Sequence, residues 1–177
     1  MPRVGIALGS NLGDRAAHLQ AAMDALQGIA MPGKAYLTAP IYQTEPRFCP
    51  PGSPQFLNTV VEIEFSGNAL ELLEKTQAME IQLGRVRGTE RNAPRVIDID
   101  LLYFGNETLD SPRLELPHPR IGERRFVLQP LADIRPEMIL PGHSRSIAEL
   151  LRDLDSDEPP LVEWTRPGSA EPQLGAE

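Results

Sequence analysis

The chain has 177 residues, of which 17 are Lys or Arg and 25 are Asp or Glu, so its formal net charge is −8. This length suits one domain, with or without a tail, and a hydrophobic fraction of 41% supplies a core and argues against disorder throughout. The acidic balance excludes a general nucleic-acid binder, which normally carries a basic excess. The single cysteine, Cys49, excludes an internal disulfide and a cysteine-based zinc site.

No apolar stretch of the sequence is long enough to suggest an export signal or a membrane segment. The N-terminal run from Val4 to Leu8 has five residues, fewer than the roughly 7–15 of a signal peptide. No run approaches the roughly 18–20 apolar residues of a membrane span. We therefore expect a cytoplasmic protein that does not bind membranes. We also expect it to be a monomer.

The first half of the chain predicts two units in which a strand is followed by a helix. Its predicted elements are a strand at 3–8 with a turn at 9–11, a helix at 12–27, a strand at 35–44, a strand at 55–65 and a helix at 69–83. Pro40 places its strand at an edge or a bulge, because proline cannot donate to the ladder. Asn68 can cap the second helix, and the proline-rich loop 45–54 is of the kind that often carries function.

The second half predicts a long strand, a hairpin return and short helices. Its predicted elements are a strand at 95–104, a return near 114–116, a short helix from about residue 120, two weaker segments at 126–131 and 138–140, and a helix at 147–154 capped by Ser146. We expect a domain at 1–154 and an acidic tail at 155–177 that can lie along it. The order of elements predicts an α+β fold, a ferredoxin-like α/β sandwich with a largely antiparallel central sheet.

One near-match to a nucleotide-binding motif is rejected. Residues 28–34 fit the pattern G-x-x-x-x-G-K, but the next residue is Ala35, which lacks the hydroxyl that would hold Mg²⁺. The segment also leads from a helix into a strand, the reverse of the P-loop context. We therefore expect no P-loop here.

Two carboxylates, Asp98 and Asp100, are two residues apart on the best predicted strand. They should project from one face with Cα atoms about 7 Å apart, while Ile97, Ile99, Leu101 and Tyr103 line the opposite, core side. Oxygen ligands without a supporting His or Cys favour Mg²⁺ over zinc. The alternative is an ordinary solvated strand face.

Four arginines, Arg85, Arg87, Arg91 and Arg95, come just before the carboxylate pair. Residues 84–125 hold eight arginines and seven acidic residues, a net charge of +1, while the rest of the chain carries −9. Arginines beside a two-carboxylate Mg²⁺ site suit phosphoryl-type transfer, because that reaction needs stabilisation of charge on phosphate oxygens. The alternative is an arginine-rich surface loop.

The segment 91–102, RNAPRVIDIDLL, resembles the signature of the 6-hydroxymethyl-7,8-dihydropterin pyrophosphokinase family of folate biosynthesis. Further segments resemble the family in order and spacing, between residues 3 and 154: 9–14, 42–44, 56–58, 77–80, 84–87, 116–118 and 124–126. The resemblance implies transfer of a pyrophosphoryl group from ATP to the hydroxymethyl oxygen of the pterin, with release of AMP.

The resemblance also implies roles for individual residues. Asp98 and Asp100 match the pair that holds two Mg²⁺ ions, and Arg85 and Arg95 match residues that clamp the phosphates, Arg85 from a loop that closes over the site. The residues at ATP-binding positions are Gln77, Glu80, Arg87, Leu101, Arg113, His118 and Arg124. Those at pterin-binding positions are Thr44, Pro46, Phe56, Asn58 and Phe126.

These implied roles agree with the chemistry of the side chains. A flat polar heterocycle suits aromatic faces above and below with Asn and Thr at its edge. Without the resemblance, Phe56 and Phe126 would be assigned to the core and His118 to a loop. The chain differs from the family pattern at Asn92 and Pro119. These differences affect the expected packing of the loop that closes over the site and the expected nucleotide affinity, but not the expected reaction type.

Two other functions stay open at this point. A non-catalytic ferredoxin-like module that binds a small ligand would not need the carboxylate pair and the arginine loop together. A palm-type nucleotidyl transferase also uses paired Asp on a strand, but it predicts a basic nucleic-acid face that the charge count does not supply. The expected partners are therefore ATP and 6-hydroxymethyl-7,8-dihydropterin, and not nucleic acid.

Overall fold

The fold is taken from a computed structural model that describes residues 2–44, 55–84, 96–155 and 161–165. The strands are β1 (Arg3–Ser10), β2 (Leu37–Thr38), β3 (Tyr42–Thr44), β4 (Phe56–Glu64), β5 (Asp98–Phe104), β6 (Leu109–Asp110), β7 (Glu115–Leu116) and β8 (Val162–Glu163). The helices are α1 (Arg15–Ile29), α2 (Ala69–Gln82), α3 (Arg125–Ile134) and α4 (Ile147–Arg152), and a 3-10 turn at Ile121–Glu123 precedes α3. None of the helices in these ranges is long and apolar enough to span a membrane.

One antiparallel sheet forms the centre of the molecule. Its strand order is β5-β1-β4-β3-β8, with β2 also paired to β4, and β6 and β7 form a separate two-stranded ribbon. The sheet pairs are antiparallel. The prediction of a mixed α and β fold with a largely antiparallel sheet is therefore confirmed.

Both faces of the sheet are covered, because successive side chains on a strand point to opposite sides. Val4, Ile6 and Leu8 of β1 enter a core that also contains Leu19 of α1 and Leu72 of α2. On the other face, apolar side chains of α3 and α4 form a second core with residues of β4 and β5. Burial on both faces explains why the central strands are apolar along most of their length.

The predicted helices are present and their starts follow from capping chemistry. The Asp14 side chain accepts a hydrogen bond from the Ala17 amide, so α1 begins at Arg15 rather than at residue 12. Asn68 caps α2 and Ser146 caps α4, each in a reciprocal capping box. The weaker segment 126–131 lies within α3.

A proline and a register shift account for two differences between the predicted and the observed strands. The strand predicted at 35–44 is divided into β2 and β3 around Pro40, as expected for a residue without an amide donor. Tyr103 was expected on the face opposite the carboxylates, and this is wrong. The register with β1 shifts between Gly5 and Ile6, and an irregularity of this kind reverses the side-chain alternation, so Tyr103 belongs to the core under α3.

Polar contacts fasten α3 to the sheet. The Arg135 guanidinium binds the buried Glu62 carboxylate through Nη2–Oε1 at 2.6 Å and Nε–Oε2 at 3.0 Å. Tyr103 also donates its hydroxyl to Glu62, and Tyr42 donates its hydroxyl to Asp133. Hydrogen bonding to Glu62 raises the pKa of Arg135. These bonds fix the carboxyl-terminal part of α3 and so orient the residues at its start.

Candidate functional site

Three neighbouring strands bring polar side chains together on the α3 side of the sheet. Gly9 of β1 is paired with Asn58 of β4 on one side and with Asp98 of β5 on the other. Asp100 is paired with Ala7 on the same edge of β1. Ile99 between the carboxylates enters the opposite core, so Asp98 and Asp100 share the α3 face, with Asp98 half-buried and Asp100 exposed.

The residues expected beside the pterin lie on the β3–β4 side of Gly9. Thr44 is paired with Phe56, and Asn58 donates its side-chain amide to the Thr44 hydroxyl oxygen at 2.8 Å. Phe56 is half-buried and Asn58 is buried. The structure therefore brings Thr44, Phe56 and Asn58 together, with the ring and both polar edges on one face.

Gly9 is a part of this site that the sequence analysis assigned only to a turn. A Cβ atom at Gly9 would lie 2.7 Å from Oδ1 of Asn58 and 3.7 Å from Cδ1 of Phe56. The missing side chain leaves the space between the aromatic edge and the carboxylates open. A glycine within an apolar strand often marks such a close approach, and that was the available signal.

Arg124 and Phe126 lie at the start of α3, and Arg124 interacts electrostatically with the carboxylates. The Arg124 guanidinium carbon lies 5.5 Å from the centre of the Phe126 ring, within the range of a cation–π contact. Burial lowers the pKa of Arg124, while Asp100 and Asp98 act in the opposite direction. The charge of Arg124 therefore interacts with both carboxylates, and the Phe126 ring lies against the same guanidinium.

His118 is held in a defined tautomer by its own loop. Its backbone amide donates to the Leu102 carbonyl oxygen at 2.8 Å, and its Nδ1 accepts from the Arg120 amide at 3.1 Å. A neutral imidazole with Nδ1 as acceptor carries its proton on Nε2. Burial lowers the pKa of His118, and Arg124 and Arg120 lower it further. His118 is therefore neutral near pH 7 and offers Nε2–H as a donor.

This arrangement predicts a loss of stability in acid. Because the folded protein disfavours protonated His118, the unfolded chain binds more protons once the pH falls below about 6.5, and stability falls with it. His118→Asn, which keeps an acceptor but does not titrate, should lose less stability than the wild type between pH 7 and pH 5. Melting temperatures across this range test it. Parallel curves for wild type and His118→Asn would contradict the prediction.

The residues expected on the ATP side are spread over α2 and its surroundings. Glu80 is buried, and its Oε2 accepts the Ile99 amide at 2.8 Å, so it fixes β5 between the two carboxylates. Gln77 is exposed one turn earlier on α2, and exposed Arg113 contacts Glu74 of the same helix at 3.4 Å. The Leu101 side chain lies in the core on the opposite face, so only its main chain could reach a nucleotide.

The remaining expected site residues lie outside the described residues. These are Pro46, Arg85, Arg87 and Arg95. Their assignments to the pterin, the phosphates and ATP stay predictions.

The donor set at Asp98 and Asp100 fits Mg²⁺ better than zinc. Among the described residues, no group of three or more His, Cys, Asp or Glu side chains is arranged to hold a metal ion. Structural zinc requires four protein ligands and catalytic zinc usually three. Magnesium keeps several waters and is commonly bound by one or two carboxylates together with substrate phosphates. Two carboxylates beside a basic group match that mode.

Gly9 lies between the groups expected at the pterin and those expected at the phosphates. Strands β4 and β5 are each about 5 Å from β1, so the two sets of groups are about 10 Å apart at the level of the backbone. Such a layout fits an enzyme of the phosphorus-transfer class that acts on a small heterocycle.

Comparison with known proteins gives the particular family. The model described as 7,8-dihydro-6-hydroxymethylpterin-pyrophosphokinase (HPPK) matches residues 5–136, and the chain belongs to this family. It is 41% identical over 149 residues to the 2-amino-4-hydroxy-6-hydroxymethyldihydropteridine pyrophosphokinase of Pseudomonas aeruginosa, covering 84% of this chain and 90% of that protein. The enzyme of the same name from Bacillus subtilis is 46% identical over 129 residues, covering 73% of this chain and 75% of that protein.

Solved structures show the same fold. The wild-type HPPK-DHPS of Plasmodium falciparum in its crystal structure with pteroate has a TM-score of 0.66 and 16% sequence identity, over 85% of this chain. The chain covers only 42% of that longer protein, so the comparison concerns the fold alone.

Proposed function

We propose that this chain transfers the pyrophosphoryl group of ATP to the hydroxymethyl oxygen of 6-hydroxymethyl-7,8-dihydropterin, in folate biosynthesis. The pterin oxygen forms a bond to the β-phosphorus of ATP and releases its proton to solvent. The bond from that phosphorus to the α–β bridging oxygen breaks, and AMP leaves with this oxygen and the bonding electron pair. One structural observation carries the proposal: Gly9 is paired with Asn58 on one side and with Asp98 on the other. The family match over residues 5–136 supports the same reaction.

On the pterin side, the groups present suit a flat heterocycle with a polar edge. Phe56 and Phe126 supply rings for its faces, and Thr44 and Asn58 supply hydrogen-bonding groups for its edge. The Asn58 amide nitrogen is engaged by Thr44, which leaves Oδ1, directed over Gly9, to accept from the pterin. Pro46 completes the proposed pterin set. The amide orientation makes Asn58 an acceptor toward the ring.

On the nucleotide side, Asp98 and Asp100 would hold Mg²⁺, with two ions proposed. When bound, such ions neutralise charge on the phosphate oxygens and orient the transferred group. Arg124, Arg85 and Arg95 add positive charge around the phosphates. The other groups proposed to contact ATP are Gln77, Glu80, Arg87, Leu101, Arg113 and His118.

The fold topology, the domain boundaries, the location and the oligomeric state are also part of this proposal. The order β1-α1-β3-β4-α2-β5 with spatial order β5-β1-β4-β3 supports a ferredoxin-like sandwich. We also keep as proposals a catalytic domain at 1–154, a tail at 155–177, a cytoplasmic location and a monomeric state.

The identity of the nucleotide product tests the proposed reaction. Purified protein with ATP, Mg²⁺ and 6-hydroxymethyl-7,8-dihydropterin should release AMP in a one-to-one ratio with the pterin diphosphate, as measured by ion-exchange chromatography. Transfer from the β-phosphorus requires AMP, whereas ordinary kinase chemistry yields ADP. A pterin with a methyl group in place of the hydroxymethyl group lacks the acceptor oxygen and should give no AMP. Formation of ADP, or binding of both substrates without turnover, would contradict the proposal; the second result would favour the ligand-binding module.

A further inference from the structure

The described part of the C-terminal segment, residues 161–165, joins the edge of the sheet beside the proposed pterin site. Strand β8 pairs antiparallel with β3, with Val162 opposite Gln43 and Glu163 opposite Tyr42. The Trp164 amide also donates to the Ile41 carbonyl oxygen at 2.8 Å. This segment lies beyond the residues 5–136 matched by the family model, so its attachment to β3 is additional to what that match covers.

Strand β3 is short, and it carries part of the site. It has three residues, Tyr42–Thr44, fewer than the typical five or six. Its last residue is Thr44, which accepts the hydrogen bond from Asn58. Without β8, one edge of this short strand would have no neighbour within the described sheet. Pairing on the second edge therefore restrains the backbone that presents Thr44.

Trp164 anchors the segment through its side chain. It packs on the core formed with α1 and lines a cavity of about 400 Å³ together with Met23, Tyr36 and Ile41. A Trp side chain is among the largest apolar surfaces that a residue can bury. Removing the ring would enlarge the cavity and weaken the attachment of β8, while the main-chain bond to Ile41 could persist.

The opposite face of β3 is already fixed to α3. The Tyr42 hydroxyl donates to Asp133 of that helix. Burial is the largest cause of the raised pKa of Tyr42, and the hydrogen bond to Asp133 raises it further. Strand β3 is thus held by β4, by α3 and by β8. Of these supports, β8 is the one with no direct part in the site, so its loss should disturb pterin binding without removing a pterin contact.

We propose that residues 161–165 position β3, and with it Thr44, for pterin binding, and that Trp164 is the positioning residue that anchors them. The proposal rests on the proposed function in that its ligand is the pterin. Trp164 acts through β3 and does not touch the substrate. The same coupling requires that bound pterin strengthen the attachment of β8.

Trp164→Ala in the full-length protein tests the first half of this proposal. The KM for 6-hydroxymethyl-7,8-dihydropterin should rise about fivefold or more, while the KM for ATP and kcat change less than about twofold. Trp164→Phe retains a ring and should restore most of the affinity. Ile139→Ala shortens an exposed apolar side chain elsewhere on the protein and should leave all three constants unchanged. Equal increases in both KM values, or an unchanged pterin KM, would overturn the positioning role.

Hydrogen exchange on the wild-type protein tests the second half. Saturating pterin should slow exchange at the amides of Val162–Trp164, and Trp164→Ala should speed exchange at Tyr42–Thr44 in the absence of ligand. The β6–β7 ribbon is the internal control and should not change. Unaltered exchange at Tyr42–Thr44 in Trp164→Ala would overturn the proposal.

Different binding results would contradict the proposed function and the proposed role of residues 161–165. If calorimetry detects no pterin binding to the wild type in the presence of a non-hydrolysable ATP analogue, the proposed function fails. If the wild type binds pterin and Trp164→Ala binds it equally well, only the role of residues 161–165 fails.

Discussion

Replacing Asp100 with Asn should reduce kcat by a factor of about 10² to 10³ or more, the usual cost of removing one group that stabilises charge in a transition state. Asn keeps the size of the side chain and removes the negative charge that would hold Mg²⁺ beside the phosphates. Asp100 is exposed at the surface of the sheet, so the fold should survive the change. Rates of AMP formation under saturating substrates measure the effect.

Asp24→Asn is the matched control for this experiment. Asp24 is an exposed carboxylate on α1, the helix that covers the opposite face of the sheet, and its removal changes the net charge by the same amount. Its turnover should equal that of the wild type. A similar fall in both variants would indicate a general charge effect, and undiminished turnover in Asp100→Asn would remove Asp100 from the catalytic site.

Replacing Arg135 with Met should destabilise the protein by about 3–5 kcal/mol, the usual cost of leaving one member of a buried ion pair without its partner. Side-chain exposure is 27% for Arg135 and 4% for Glu62. After the change the Glu62 carboxylate stays in the core and, among the residues that the structure describes, keeps the hydrogen bond from the Tyr103 hydroxyl. Urea unfolding followed by circular dichroism gives the free energy. The melting temperature should fall by about 2–4 °C for each kcal/mol.

Two further variants separate the burial of charge from other effects of this substitution. Glu74→Gln removes a surface pair with Arg113, whose side chains are 64% and 51% exposed, and should cost at most about 1 kcal/mol. The double variant Glu62→Gln/Arg135→Met removes both charges of this pair, keeps an acceptor for Tyr103 and should recover much of the lost stability. A double variant as unstable as Arg135→Met would show that packing of the arginine stem, rather than charge, is responsible.

Local patterns in the sequence were sufficient for most of the secondary structure. Asn68 and Ser146 identified helix starts because capping depends on a few adjacent residues. Pro40 indicated an edge or a bulge for the same kind of local reason, although the structure divides the predicted strand into β2 and β3 at this residue. The two-residue repeat of a β-strand was likewise enough to predict that Asp98 and Asp100 lie on the same face.

Other features depended on contacts between distant residues, and the sequence could not supply them. The register shift opposite Gly5 is a relation between β1 and β5, so the strand alone placed Tyr103 on the wrong face. The need for glycine at position 9 comes from the close approach of Asn58 and Phe56 on a neighbouring strand. Glu80 was expected at ATP, and its bond to the Ile99 amide could be found only once α2 was packed against β5.

The register shift in β5 divides one strand into two regions with different tasks. Before it, Asp98 and Asp100 lie on the face of the proposed site; after it, Tyr103 covers Gly5 and supports Glu62. Functional residues commonly reduce stability, and the loss is compensated elsewhere in the fold. On this strand Tyr103, three positions beyond Asp100, packs on Gly5 and donates a hydrogen bond to Glu62. Substitutions in the half that carries Asp98 and Asp100 can therefore change the proposed site while the packed half continues to hold the sheet and α3 together.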